Sequence, residues 1–141
     1  MTTPRASFSE TVQVILPNDA NPLGFVLGGY VMHQIDIAAY RHTRGLLVTA
    51  AVDGLQFLHP IKVGDLMIVQ ARVTATFKTS LEVEVEVYSE ETLSGTRCLT
   101  SVAFLTFVTI EHEGNRAQVP PLVLETDDDR RRAAGAEERR Q

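Results

Sequence analysis

Residues 18–36 read NDANPLGFVLGGYVMHQID, a polar loop that passes through Pro22 and three glycines into an apolar run carrying one carboxylate, Asp36. Gly28 and Gly29 stand where loop should give way to helix, and glycine leaves backbone N–H groups open to close approach. A helix start presents unpaired N–H groups and a partial positive charge. That combination suits a developing oxyanion, such as the carbonyl oxygen of a thioester or ester under attack. It equally suits a plain tight loop with close helix packing.

From Tyr30 the run YVMHQIDIAAY spreads Val31, Met32, Ile35, Ile37, Ala38 and Ala39 around most of a helix circumference. This is the pattern of a buried helix, expected to end near Arg44 and Gly45. An acid in such a helix is costly unless it is bonded or working, so Asp36 is either a structural acid or a catalytic one. His33, one turn earlier, can face it. From Gly29 to Asp36 the helix rises ~10 Å, whereas a general base must lie within about 3 Å of its proton or one water further. Asp36 therefore does not serve a carbonyl held at the start of its own helix. Two such helices antiparallel across a two-fold axis would bring Asp36 of one subunit to Asn21 and the glycines of the other, giving a shared site.

Outward from this helix the chain reads as strands: TVQVIL (11–16) before it, then LLVTAAVDGLQF (46–57), DLMIVQARVTATF (65–77), LEVEVEVYS (81–89) and TRCLTSVAFLTFVTI (96–110). In the fourth, Leu81, Val83, Val85 and Val87 share one face and Glu82, Glu84 and Glu86 the other, which predicts one face in the core and one in water. The last is apolar on both faces over much of its length, as for a strand inside the sheet. Short connections favour antiparallel neighbours. The expected class is α+β, with one long central helix wrapped by a five-stranded antiparallel sheet.

After Pro120 and Pro121, Asp127 to Asp129 precede Arg130 to Arg132, the charge order of a helix. The reading for this segment is a short charged helix or a solvated, partly frayed tail, whose bases could also reach a ligand phosphate. Residues 1–10 are expected to be a mobile N-terminus, 11–125 one domain, and 126–141 the charged tail. A chain of 141 residues, 44% hydrophobic, suits a single core. A net charge of −5 and a pI near 5.3 argue against nucleic acid as a partner. The single cysteine, Cys98, excludes an intramolecular disulfide and a cysteine zinc site and suits a reducing cytoplasm. No run is long and apolar enough to suggest a membrane span, and MTTPRASFSE lacks the core of a signal peptide. No cluster has metal-ligand spacing, so neither metal nor cofactor is expected.

Taken together, NDANPLGFVLGG, the Asp seven residues on, VTAAVDGLQFLHPIKVGD, KTSLEVEVEV, FVTI and VPPL resemble the hotdog-fold acyl-CoA thioesterases, in the branch of cytoplasmic acyl-CoA hydrolases. The likeness runs from about residue 11 to 125. It implies hydrolysis of an acyl-CoA to a carboxylic acid and free coenzyme A, which is thus part of the substrate. Asn21 and Asp36 match the family's catalytic pair acting from opposite subunits, with Asp36 as general base or nucleophile and Asn21 positioning the water or the carbonyl. Gly28 and Gly29 match its helix-start backbone donors, Thr49 a strand residue near the site, and Lys78, Thr79 and Ser80 a segment bordering the coenzyme A arm. Phe77 departs from the pattern, where a small residue is usual. The implied assembly is at least a homodimer, with a trimer of dimers left open.

The rival enzyme is a hotdog acyl-thioester hydratase or dehydratase, for which Phe57, His59 and Pro60 give a superficial hint. The catalytic His of that group precedes the long helix, whereas His59 follows it and reads more simply as a turn residue. A non-catalytic acyl-CoA-binding protein is the other alternative, and it has no use for a buried acid facing the ligand carbonyl.

Overall fold

Alternation along LEVEVEV governs the sheet. The computed structural model describes residues 7–25, 28–31, 33–34, 47–109 and 122–140. Its strands β1 (Ser9–Val14), β2 (Leu47–Phe57), β3 (Leu66–Thr76), β4 (Ser80–Glu90) and β5 (Arg97–Thr109) form one sheet. The order is β1-β3-β4-β5-β2, with every pairing antiparallel; the short connections account for β3–β4 and β4–β5. β5 lies inside the sheet, between β4 and β2. β1 begins earlier than its sequence pattern suggests: Ser9 and Glu10, expected in a mobile N-terminus, pair with Ala71 and Gln70. The Ser7 hydroxyl accepts a hydrogen bond from the Val73 N–H at 2.9 Å.

On the inner face Val83, Val85 and Val87 join Met67, Val69, Ala103, Leu105 and Phe107 in one buried cluster that also takes in Val31. Residues 28–31, 33 and 34 are helical, so the expected central helix includes Gly28 and lays Val31 on the sheet. Its continuation, including Asp36 and the expected end near Arg44, lies outside the described residues. β1 and β2 are the two edges. On the first of them Val12 and Val14 are 53% and 49% exposed, with Phe8 and Leu16 exposed beside them.

The registers fix which ends of the strands meet. Ser80 pairs with Val108, which pairs with Val48, at one end of the sheet; Leu66 faces Glu90 at the other. At about 3.3 Å per residue the two ends are roughly 30 Å apart along β3.

Of the two readings of the charged tail the helix holds: Asp127–Arg140 is a helix, not a solvated, frayed segment, and it is seated on the outer face of the sheet with Ala136 buried. Thr126 and Asp129 start it reciprocally: the Asp129 N–H donates to Thr126 Oγ1 at 3.0 Å, and Asp129 Oδ2 accepts from the Glu125 and Thr126 N–H groups at 2.9 and 3.1 Å. These bonds hold the Asp129 carboxyl below the usual carboxylate range. Arg139 then lies over the Phe104 ring at 3.6 Å and binds Glu82 at 2.7 and 3.0 Å, while Arg132 bridges Glu84 and Asp128. Burial alone would lower the Arg132 pKa, but its bonds to Glu84 and Asp128 outweigh that and raise it.

Glu82 and Glu84, expected to face water, are therefore covered. The cause is complementary spacing: Arg132 and Arg139 are two helical turns apart on one helix face, about 10 Å, and the alternating glutamates are about 7 Å apart on the strand. Flexible guanidinium stems close the difference. Glu82 is buried and also accepts from Thr74 Oγ1 at 2.7 Å, so removing its cation strands a charge. Arg139→Ala should therefore lower unfolding free energy by roughly 3 kcal/mol in chemical denaturation. Arg130→Ala, which breaks only the exposed pair with Asp127, should change it by less than about 0.5 kcal/mol.

Candidate active site

The loop before the helix is built on the Asn21 side chain. Asn21 Oδ1 accepts hydrogen bonds from the Leu23 N–H at 2.9 Å and the Phe25 N–H at 3.2 Å. The Asn21 backbone closes the same turn: its N–H donates to Phe25 O and its carbonyl accepts from the Gly24 N–H. Gly24 sits at φ +86°, a left-handed conformation that explains the glycine. Two N–H donors aimed at one side-chain atom identify that atom as the oxygen, not the nitrogen. The carbonyl half of the amide is thus spent on the loop, and among the described residues the NH2 half has no hydrogen-bond partner.

Gly28 and Gly29 are helical and exposed, and among the described residues a Cβ placed on Gly29 would meet nothing within 4 Å. Among the described residues no close packing requires a glycine at position 29.

A polar clamp, which sequence reasoning missed, ties this helix start to the sheet. The Tyr30 hydroxyl donates to Gln13 Oε1, and Gln13 Nε2 donates to Gln34 Oε1 at 3.0 Å. Burial, and then the nearby Asp19 carboxylate, push the Tyr30 pKa up. The available signal was a glutamine at an inner-face position of TVQVIL, where an apolar residue would be routine.

Asp36 lies outside the described residues. Thr49 is described only in its backbone, which pairs with Phe107. Lys78, Thr79 and Ser80 form the turn between β3 and β4, closed by the Phe77 N–H donating to Ser80 O at 2.8 Å; Lys78 is exposed and Ser80 buried. This turn and Thr49 share one end of the sheet, because Ser80, Val108 and Val48 are in register. The Asn21 loop is at the other end: Phe25 bridges Lys62, Gly24 O accepts from the Val63 N–H, and Gln13, which holds Tyr30, pairs with Met67. Within one protomer the described ones among the expected site residues thus fall into two groups roughly 30 Å apart. His33 and His59 are both exposed, the latter in the bend after β2.

A groove of about 240 Å³ between the C-terminal helix and the outer face is lined by Glu84, Phe104, Arg131, Arg132, Gly135 and Arg139. Each of its arginines is already bonded to a carboxylate, so it is a docking seam. Among the described residues no three His, Cys, Asp or Glu side chains converge to hold a metal ion, and no helix is long and apolar enough to cross a membrane.

The family model described as Thioesterase superfamily matches residues 23–96. An uncharacterized acyl-CoA thioester hydrolase of Bacillus subtilis is 36% identical over 138 residues, covering 92% of this chain and 80% of that protein. The cytosolic acyl coenzyme A thioester hydrolase of Homo sapiens is 35% identical over 132 residues; the match covers 89% of this chain and 35% of that much longer protein. Among solved structures, an apo, hexameric acyl-CoA thioesterase superposes with a TM-score of 0.91 at 34% identity, covering 98% of this chain and 91% of that one.

Proposed function

We propose, since this chain belongs to the thioesterase superfamily and is a thioester hydrolase of its hotdog-fold acyl-CoA thioesterase family, that it cleaves an acyl-CoA with water to a carboxylic acid and free coenzyme A. The observation that carries the reading is the Asn21 amide, whose oxygen is held by the Leu23 and Phe25 N–H groups while its NH2 has no partner among the described residues, a few residues ahead of the exposed, helical Gly28 and Gly29. Such donors stabilise negative charge as it develops on the thioester carbonyl oxygen. Asp36 either takes the proton of the attacking water or attacks the carbonyl itself. The reaction calls on no resident cofactor. A chain with one half-buried free thiol suits a reducing cytoplasm.

The site is completed by a second subunit. A two-fold axis beside β2, an edge strand, would run two copies antiparallel, so that the Thr49 and Lys78–Ser80 end of one lies against the Asn21 end of the other. The roughly 30 Å separation inside one protomer then disappears. The exposed row of Phe8, Val12, Val14 and Leu16 on the opposite edge is a second apolar surface, as assembly of dimers into a trimer of dimers needs.

Thiol release from a panel of acyl-CoAs tests the reaction, and the absence of release from every chain length would refute it. The shared site is tested by mixing inactive Asn21→Ala and Asp36→Ala proteins under conditions of subunit exchange. Heterodimers carrying one intact site should restore part of the parent rate. No recovery after demonstrated exchange would place both residues in one protomer's site.

A further inference from the structure

On the reading above, the thioester carbonyl is met by two features of one protomer, the Asn21 amide and the backbone at Gly28 and Gly29. Their relative position must be held closely for both to act on one oxygen. The glycines have no side chains with which to hold it. The Asn21 loop is fastened to the sheet side by backbone contacts, since Gly24 O accepts from the Val63 N–H and Phe25 bridges Lys62. The described contacts of the helical stretch are of another kind: the buried Val31, and the side chains of Tyr30 and Gln34.

Gln13 takes both of these side chains. Its Oε1 accepts from the Tyr30 hydroxyl, and its Nε2 donates to Gln34 Oε1 at 3.0 Å. Tyr30 and Gln34 are four residues apart and so lie one above the other on one helix face, where a single glutamine grips both ends of a turn. Apolar contact through Val31 is non-directional and leaves the helix free to slide or rotate by small amounts. Two hydrogen bonds one turn apart fix both motions. Burial and the Asp19 carboxylate push the Tyr30 pKa up, so the phenol keeps the proton that it donates. Gln13 is itself set by pairing with Met67, which is fully buried. The chain after β1 then bonds through Ile15 to Gly64 and Asp65, next to the Val63 that holds Gly24. Loop and helix are thus referenced to one end of one strand.

We propose that Gln13 is a positioning residue for the hydrolysis: by clamping Tyr30 and Gln34 it sets the backbone at Gly28 and Gly29 against the Asn21 amide. The inference rests on the acyl-CoA reading above. Gln13 acts through the helix and not on the substrate, so its effect falls on the transition state, where a misplacement of about 1 Å can cost on the order of 100-fold.

The test is steady-state thiol release from acyl-CoA by the full-length protein and its Gln13→Leu, Tyr30→Phe and Gln70→Leu variants. Gln13→Leu keeps the bulk and loses both bonds. Its kcat should fall at least about 10-fold with KM within about two-fold of the parent, the pattern of an interaction felt only in the transition state. Tyr30→Phe loses one bond and should fall less, and the double variant should be no slower than Gln13→Leu, because the two residues act as a unit. Gln70→Leu removes a bond of the same kind, from Gln70 Nε2 to Glu10 Oε2 at 2.7 Å, on the other face of the same two strands, and should keep the parent kcat. A folded Gln13→Leu protein with the parent kcat overturns the proposal. So does an equal fall in Gln70→Leu, which would make the loss a general loosening of the sheet edge. Should Gln13→Leu fail to fold, Tyr30→Phe decides by the same comparison with the parent. An active parent with an insensitive Gln13 refutes the clamp alone, whereas a parent that releases no thiol from any acyl-CoA refutes the hydrolase reading and the clamp together.

Discussion

Asp36→Asn should lower thiol release by roughly 100-fold or more, since general-base catalysis alone is typically worth that much. The substitution keeps the size and hydrogen-bonding reach of the side chain but removes both the base and the nucleophile. In the buried helix that the sequence predicts around residue 36, a neutral amide costs less than a carboxylate, so thermal stability should hold or rise. Coenzyme A affinity should persist, because the turn at Lys78–Ser80 is untouched. The variant would then trap substrate. A folded Asp36→Asn protein that binds coenzyme A and still turns over near the parent rate would make Asp36 a structural acid.

Asn21→Asp separates the two jobs of a single side chain. A carboxylate can still accept from the Leu23 and Phe25 N–H groups, so the turn through Gly24 should form as before. It has no proton to donate, and it sets a negative charge where the oxyanion develops. Loss of one such donor typically costs 100- to 1,000-fold in kcat, so a fall of at least about 100-fold is expected with the melting temperature little changed. Asn21→Ala removes the turn acceptor as well and should add a loss of about 1 kcal/mol in stability. Parent-like turnover in Asn21→Asp would show that the amide serves only the loop.

The two residues differ in how far the chain itself announces them. Asn21 is legible as a turn former ahead of Pro22 and Gly24, but that its side-chain oxygen is taken up by the loop depends on where the Leu23 and Phe25 N–H groups point. The Gln13 clamp on Tyr30 and Gln34 joins segments 17 and 21 residues apart in sequence, beyond the reach of any local pattern.

Local order determined the sheet. The period of two in LEVEVEV assigned Val83, Val85 and Val87 to the core, and connections too short for crossovers made the neighbours antiparallel. Period says which residues share a face, and not what covers that face. Tertiary packing decided that Glu82 and Glu84 meet Arg139 and Arg132, 57 and 48 residues further along the chain, and that a charged tail becomes a seated helix. It also decided that the Asn21 loop and the Lys78–Ser80 turn fall at opposite ends of one sheet, because strand register depends on pairings between distant segments that no local stretch of sequence encodes.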